Sequence, residues 1–250
     1  MARITDSDTI TSLMSNVGIW YHRIELAPGL VTPGINDSST VLKNFEFLGL
    51  PQDGSGLRVL DIGCRDGFFS FAMEARGADV VGVDYAPSDT TGFDVAARIL
   101  DSKVEYIVEN VYDLDPQKYG WFDVVLFLGV LYHLRNPLLA LDRIRQMLNS
   151  GGLLFVESQL STDERVNSLD IPVWQFYPRD TLNYDETNKW APNLPGLRSV
   201  VEEAEFIVQD SMAYGHRGYV RAMAAKDERQ KYFRQLDTSK GIFGVKHNSK

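Results

Sequence analysis

Cysteine is almost missing from this chain: Cys64 is the only one in 250 residues. A lone thiol excludes an intrachain disulfide and a thiolate-rich metal cluster. Its place after Gly63 suits a small residue packed at a turn rather than a nucleophile. The four histidines are too scattered for an H-x-x-x-H signature, so no metal is expected. Long apolar runs are missing too. No stretch reaches the roughly 18 apolar residues that cross a bilayer, and MARITDSDTI lacks the charged-then-apolar pattern of a secretory signal. A cytoplasmic protein with no membrane partner is the expectation. Positive charge is scarce: 25 Lys and Arg stand against 34 Asp and Glu, a net charge of −9, which argues against a broad nucleic-acid-binding face. The balance is uneven. Residues 1–225 hold 18 basic and 31 acidic side chains, whereas residues 226–250 hold seven and three. That last segment reads as a basic tail or terminal helix.

What is present suits a large α/β domain: 44% hydrophobic and 24% charged residues. RVLDI (58–62), DVVGV (79–83), VEYIV (104–108), FDVVLFL (122–128) and GLLFVES (152–158) read as buried strands. FFSFAMEARG (68–77), FDVAARIL (93–100) and PLLALDRIRQML (137–148) read as the helices between them. EFIVQDSMAY and GYVRAMAAK add two closing strands. This alternation predicts a mostly parallel sheet with helices on both faces and reactive loops at the strands' carboxyl ends. Residues 1–56, with WYHRIEL and LAPGLVTPG, form a helical and aromatic cap on the 57–225 core. Within that core, residues 159–196 are a long polar and aromatic insertion, a pattern common in binding loops.

The turn VLDIGCRDG carries the chemistry. Gly63 and Gly67 allow backbone to approach a ligand where a Cβ would collide. The G-x-G-x-x-G cradle for a dinucleotide pyrophosphate is broken at Arg65, which argues against NAD. Asp61, at the strand end, is placed to orient a cationic or hydrogen-bonding group. Asp84, ending the second strand, is placed to accept hydrogen bonds from ribose hydroxyls. Tyr85 either covers an adenine face or packs at the strand rim, and Asn110 either addresses adenine or ribose or forms a turn.

VLDIGCRDG, the GVD ending at Asp84 and FDVVLFLGVLYHLRNP together resemble the class I S-adenosylmethionine-dependent methyltransferases over roughly residues 55–225. The resemblance implies an α/β, Rossmann-like fold: a mostly parallel seven-stranded sheet, an N-terminal cap and an insertion after the fifth strand. It implies S-adenosylmethionine as donor. Asp61, Gly63 and Gly67, with Arg65 in the same turn, would surround its methionine portion, Asp84 its ribose, and Tyr85, Asn110 and Val111 its adenine end. GVLYHLRNP and WYHRIEL…GLVTPG are further similar to the group related to the tRNA wobble-uridine carboxymethyltransferase. In that group the tyrosine matching Tyr132 contacts the extra carboxylate of carboxy-S-adenosylmethionine, which makes that compound the alternative donor.

Methyl transfer needs an aligned nucleophile, and a hydroxyl acceptor also needs a base. His133 is the first candidate base; alternatively it packs the strand–loop junction or binds the methionine end of the donor. His22 is the second, in a cluster with Trp20, Tyr21 and Arg23 that either closes the pocket or forms a solvated cap. Arg23 and Arg179 suit a substrate carboxylate or phosphate, or ordinary surface salt bridges. Trp174, Phe176, Tyr177 and Trp190 either wall the acceptor pocket or pin the insertion down; Asn193 and His216, beside Arg217, complete the candidate substrate contacts. The expected function is O-methylation of a small molecule in biosynthetic or secondary metabolism. The alternatives are methyl or carboxymethyl transfer to a tRNA wobble uridine, and a noncatalytic cofactor-binding regulator. A homodimer is a further expectation.

Overall fold

In the computed structural model the apolar runs become seven strands of one sheet: β1 (Arg58–Ile62), β2 (Asp79–Asp84), β3 (Glu105–Val108), β4 (Phe122–Leu128), β5 (Leu148–Gln159), β6 (Phe206–Tyr214) and β7 (Arg217–Ala224). The structure describes residues 4–225, so the basic segment 226–250 lies outside the described residues. The strand order is β3-β2-β1-β4-β5-β7-β6. The joints from β3 through to β5 are parallel; β7 runs antiparallel to both β5 and β6. The expected mostly parallel sheet is therefore present, with a hairpin reversal at one edge.

Alternate residues of each strand feed opposite faces, because successive side chains point to opposite sides. Leu60 and Ile62 join one core with α5 (Pro137–Met147) and α6 (Leu194–Glu203). Val59 joins the other with α2 (Ser39–Phe47) and α3 (Phe68–Glu74). α1 (Ser7–Ser15) and α4 (Phe93–Leu100) bury Ile10, Ala96 and Ile99 against Trp20 and Phe71. Full burial of each such large apolar side chain contributes about 1.5–3 kcal/mol.

Several boundaries differ from the sequence reading, two of them at helix ends. The helix beginning at Phe68 stops at Glu74, and the chain turns through Gly77 at φ +93°. The helix beginning at Pro137 gives up Leu148 to β5, where it pairs with Phe122 before a register shift. The 159–196 segment is not elementless. It contains a short helix, Glu164–Asn167, and an antiparallel ribbon of Trp174–Phe176 with Trp190–Pro192, and the helix α6 begins inside it. No helix among the described residues is long and apolar enough to cross a membrane.

Candidate active site

Two cavities flank the carboxyl end of β4. The first, a cleft of about 320 Å³, opens over the ends of β1, β2 and β3. Gly63, Asp84, Tyr85, Asn110, Val111 and His133 all line it, together with Val130 and Tyr112. The second, a chamber of about 210 Å³, lies on the other side of the β4 end, which contributes Leu128 and Gly129. Its polar wall is Tyr21, His22, Asn36, Glu157 and Arg217; Val41 and Phe69 are apolar.

The turn after β1 shapes the cleft. Gly63 adopts φ +79°, and a Cβ there would lie 2.3 Å from Val130 Cγ2, so the position admits only glycine without rearrangement. Arg65, standing where the dinucleotide fingerprint has glycine, takes the left-handed conformation itself, at φ 55°. Its backbone N–H donates to Asp84 Oδ2 at 3.0 Å, while Asp84 Oδ1 accepts from the Ala86 N–H at 3.0 Å. Asp84 is thus buried yet held at the rim. Below it, Asp61 accepts a 2.6 Å hydrogen bond from Ser70 Oγ. Burial pushes the Asp61 carboxyl up to about 6, against the opposing pull of that hydrogen bond. Cys64 is buried beside it, and desolvation raises its thiol well above the ordinary range, as befits packing rather than reactivity. Gly67 precedes α3 at φ +92°.

His22 owes its position to four neighbours. Asp66 Oδ2 accepts from the backbone N–H groups of Tyr21 and His22, at 2.7 and 2.8 Å, and Asp66 Oδ1 pairs with His22 Nδ1. The His22 carbonyl accepts from Thr32 Oγ1 at 2.6 Å, and the chain crosses Gly34 so closely that a Cβ there would sit 2.1 Å from the His22 carbonyl carbon. Asn36 N–H donates to the Tyr21 carbonyl at 2.8 Å. WYHRIEL and LVTPG therefore fold onto each other, and Phe68 stacks on the imidazole at 5.6 Å between centroids.

At the chamber's other side, Arg217 pairs with Glu157 through Nε and Nη2 and reaches Gln159 Oε1 at 3.2 Å with Nη1. Burial opposes the charge on Arg217, but the hydrogen bond and charge of Glu157 prevail and raise its pKa further. Tyr132 lies under this pair, its ring 5.0 Å from the guanidinium carbon and its hydroxyl 3.5 Å from Nη2. Burial pushes that phenol to about 12. His133 follows on the cleft side. Thr187 Oγ1 donates to Asp185 at 2.6 Å, which leaves it to accept from His133 Nδ1 at 2.9 Å. Burial lowers the His133 pKa, so the ring is neutral at pH 7.

The remaining residues expected around an acceptor line neither cavity. Trp20 is buried in the core against Gly92 and donates to the Met14 carbonyl at 3.1 Å. Arg23 is exposed and bonds the Gly34 carbonyl, and Arg179 sits exposed in a turn at φ 57°. Trp174 donates to the Gly196 carbonyl at 2.9 Å and packs edge-on to Trp190, which also meets Phe176. Tyr177 is buried, its hydroxyl 2.8 Å from Gln175 Oε1. Asn193 caps α6 through the Gly196 N–H and spends its amide on the carbonyls of Val166, Leu169 and Ile171. His216 is exposed in the β6–β7 turn. These aromatics and amides build the insertion itself. Conversely, Asp66 and Glu157 were not singled out from sequence, although a glutamate inside the apolar run GLLFVES is a legible oddity. Among the described residues no three His, Cys, Asp or Glu side chains form a metal-holding group.

A sheet ending in a reversed hairpin, with a glycine turn and two acids over its parallel half, defines the Rossmann-like class I methyltransferase architecture. The family profile described as "Methyltransferase domain" matches residues 36–208, and the chain belongs to this family of S-adenosylmethionine-dependent methyltransferase domains. A tRNA U34 carboxymethyltransferase of Campylobacter jejuni is 30% identical over 150 residues, covering 59% of this chain and 48% of that protein. The ubiquinone biosynthesis O-methyltransferase of Xanthomonas oryzae pv. oryzae is 29% identical over 164 residues, 64% of this chain and 68% of that protein. The chain spans about half the length of the carboxymethyltransferases it matches. Among solved structures, the N-terminal domain of EvdMO1 with SAH bound has a TM-score of 0.63 at 15% identity, covering 89% of this chain and 98% of that one. The Burkholderia thailandensis 1,6-didemethyltoxoflavin-N1-methyltransferase has a TM-score of 0.55 at 16% identity, with 90% and 93% covered. At those identities the likeness is one of fold.

Proposed function

We propose that the protein transfers a methyl group from S-adenosylmethionine to an oxygen of a small polar acceptor, with the donor in the cleft and the acceptor in the chamber. The donor, when bound, supplies a methyl group made electrophilic by its cationic sulfonium. The residues present fit it. Asp84 offers carboxylate oxygens to ribose hydroxyls, the Gly63 backbone borders the cleft, and Tyr85, Asn110 and Val111 line the part of it that suits the adenine end. Asp61, buried behind the cleft wall next to Ile62 and Gly63, would add negative charge favourable to the cationic donor.

The observation that carries the reading is the chamber, which sets His22 across the β4 end from the cleft with one ring nitrogen already committed. His22 Nε2 takes the acceptor's hydroxyl proton, which places the base role on His22 rather than His133. His133 instead forms part of the cleft wall, its Nδ1 held by Thr187. Positioning and proton acceptance together suffice for O-methylation without a covalent enzyme intermediate.

A second reading, carboxymethyl transfer to tRNA, draws on Tyr132 and Arg217 as partners for a carboxylated donor. The Arg217 guanidinium is already neutralised by Glu157, which favours the unmodified donor. Calorimetric titration with each donor, combined with S-adenosylhomocysteine release across a panel of hydroxylated small molecules, tests the proposal. Preference for S-adenosylmethionine with turnover of a small acceptor supports it. Preference for the carboxylated donor with salt-sensitive tRNA binding overturns it in favour of the second reading.

A further inference from the structure

Asp66 is a fully committed charged group beside the chamber. Its side chain is buried, in the Gly63–Gly67 turn that borders the cleft, yet its oxygens make no bond within that turn. All three hydrogen bonds reach across to the N-terminal segment: one oxygen takes the Tyr21 and His22 amides, the other takes His22 Nδ1. A buried carboxylate accepts only, so the ring nitrogen facing it must carry a proton. The neutral imidazole then holds its lone pair on Nε2.

We propose that Asp66 is a positioning residue for methyl transfer, which fixes His22 in the Nδ1–H tautomer and ties the acceptor-side base to the donor-binding turn. This rests on the functional reading above and goes beyond it, because it assigns the base its protonation state and names the group that imposes it. When His22 Nε2 receives the acceptor's proton, the ring becomes an imidazolium whose Nδ1–H remains on Asp66, and the carboxylate offsets the new positive charge without itself becoming protonated. Two backbone bonds to the same carboxylate fix the distance between turn and cap. The Phe68 ring stacked on the imidazole and the edge of Phe69 restrict its rotation. The alternative is that Asp66 merely fastens the cap, and the two roles separate experimentally.

Asp66→Asn provides that separation. An asparagine keeps an oxygen for the Tyr21 and His22 amides, but presents an NH₂ to Nδ1, which must then be bare. The experiment is ¹⁵N NMR of the full chain labelled in histidine, with His22 assigned by comparison with His22→Gln. The wild type is expected to show a protonated Nδ1 and a bare Nε2, and Asp66→Asn to move the proton to Nε2 while circular dichroism stays native. A wild-type ring with a bare Nδ1 overturns the proposal, as does a folded Asp66→Asn protein whose tautomer is unchanged. Should Asp66→Asn not fold, Asp66→Glu, which keeps an acceptor for Nδ1–H, is expected to retain the wild-type tautomer, and a wild-type ring with a bare Nδ1 still overturns the proposal. S-adenosylhomocysteine titration of the same samples is a separate readout. No binding by the wild type defeats the donor assignment and leaves the tautomer result standing.

Discussion

Arg217 reaches diagonally across the seam between β7 and β5 to grip Glu157, whose own cross-strand partner is Tyr219. Arg217 itself lies opposite Gln159, so the ion pair skips one rung of the ladder and closes the chamber floor. Glu157 is nearly inaccessible, and this contact is its ion pair.

Breaking that pair from one side leaves a buried carboxylate without its cation. Arg217→Met is expected to destabilise the fold by about 3–5 kcal/mol, because an unpaired buried charge costs more than the pair contributes. The double variant Glu157→Gln/Arg217→Met should recover most of the loss. Urea unfolding of the three proteins measures this, and equal stability of the single and double variants would contradict it.

Asp61 links stability to pH. Its carboxyl is raised from 3.8 to about 6, so between those values the folded state holds a proton that the unfolded state has released. The resulting stabilisation is complete below the lower value and is lost as pH rises through the upper one. By about pH 7 the ionised, buried group opposes folding by roughly 3 kcal/mol, at about 1.4 kcal/mol per unit. Asp61→Asn should therefore gain stability over the wild type as pH rises from 4 to 7 in unfolding measurements without ligand. It should also lose donor affinity. A stability difference that does not change with pH would refute the shift.

Asp84→Asn tests the ribose contact. Loss of one charge-assisted acceptor is worth about 1.5–3 kcal/mol, so S-adenosylhomocysteine should bind about 10–100-fold more weakly by calorimetry. Unchanged affinity would remove Asp84 from the donor site.

Gly63→Ala should destabilise by about 2–5 kcal/mol, the sum of a left-handed non-glycine residue and overpacking. Adding Val130→Ala removes the 2.3 Å clash but not the φ of +79°, so the double variant should recover only part. Complete recovery in thermal unfolding would show that the backbone conformation costs nothing.

The two histidines should separate in ligand binding. His133→Ala removes part of the cleft wall and should weaken S-adenosylhomocysteine binding, whereas His22→Ala should leave it intact while abolishing turnover. Because burial lowers the His133 pKa, its contribution to stability is present above the ordinary histidine value of 6.5 and falls away as pH drops below it. His133→Gln should flatten that acid-side loss. Similar donor affinities for His133→Ala and wild type would remove His133 from the cleft.

The cleft was legible because it is local. Strand, glycine turn and strand-ending acid follow one another in sequence, so spacing alone brings Gly63 and Asp84 to one cleft. The chamber was not, because its members come together only through tertiary pairing. Glu157 and Arg217 are 60 residues apart and meet by antiparallel register. His22 and Asp66 are 44 apart and meet because the cap folds back over the turn. The insertion residues line neither cavity. Trp174, Tyr177, Trp190 and Asn193 have the composition of a binding wall, but a three-residue ribbon and a helix start need aromatic packing and amide capping of their own. Composition does not tell a wall from its buttress.

The placement of β7 also bears on synthesis. Every other chamber residue precedes residue 158, while Arg217 sits at the start of the last described strand. On the ribosome, Glu157 emerges long before the cation that neutralises it, and the parallel strands are complete while the chamber still has a gap in its floor. A nascent chain can therefore assemble its cleft early and complete the chamber only when the reversed hairpin closes, making the order of translation the order in which the two cavities mature.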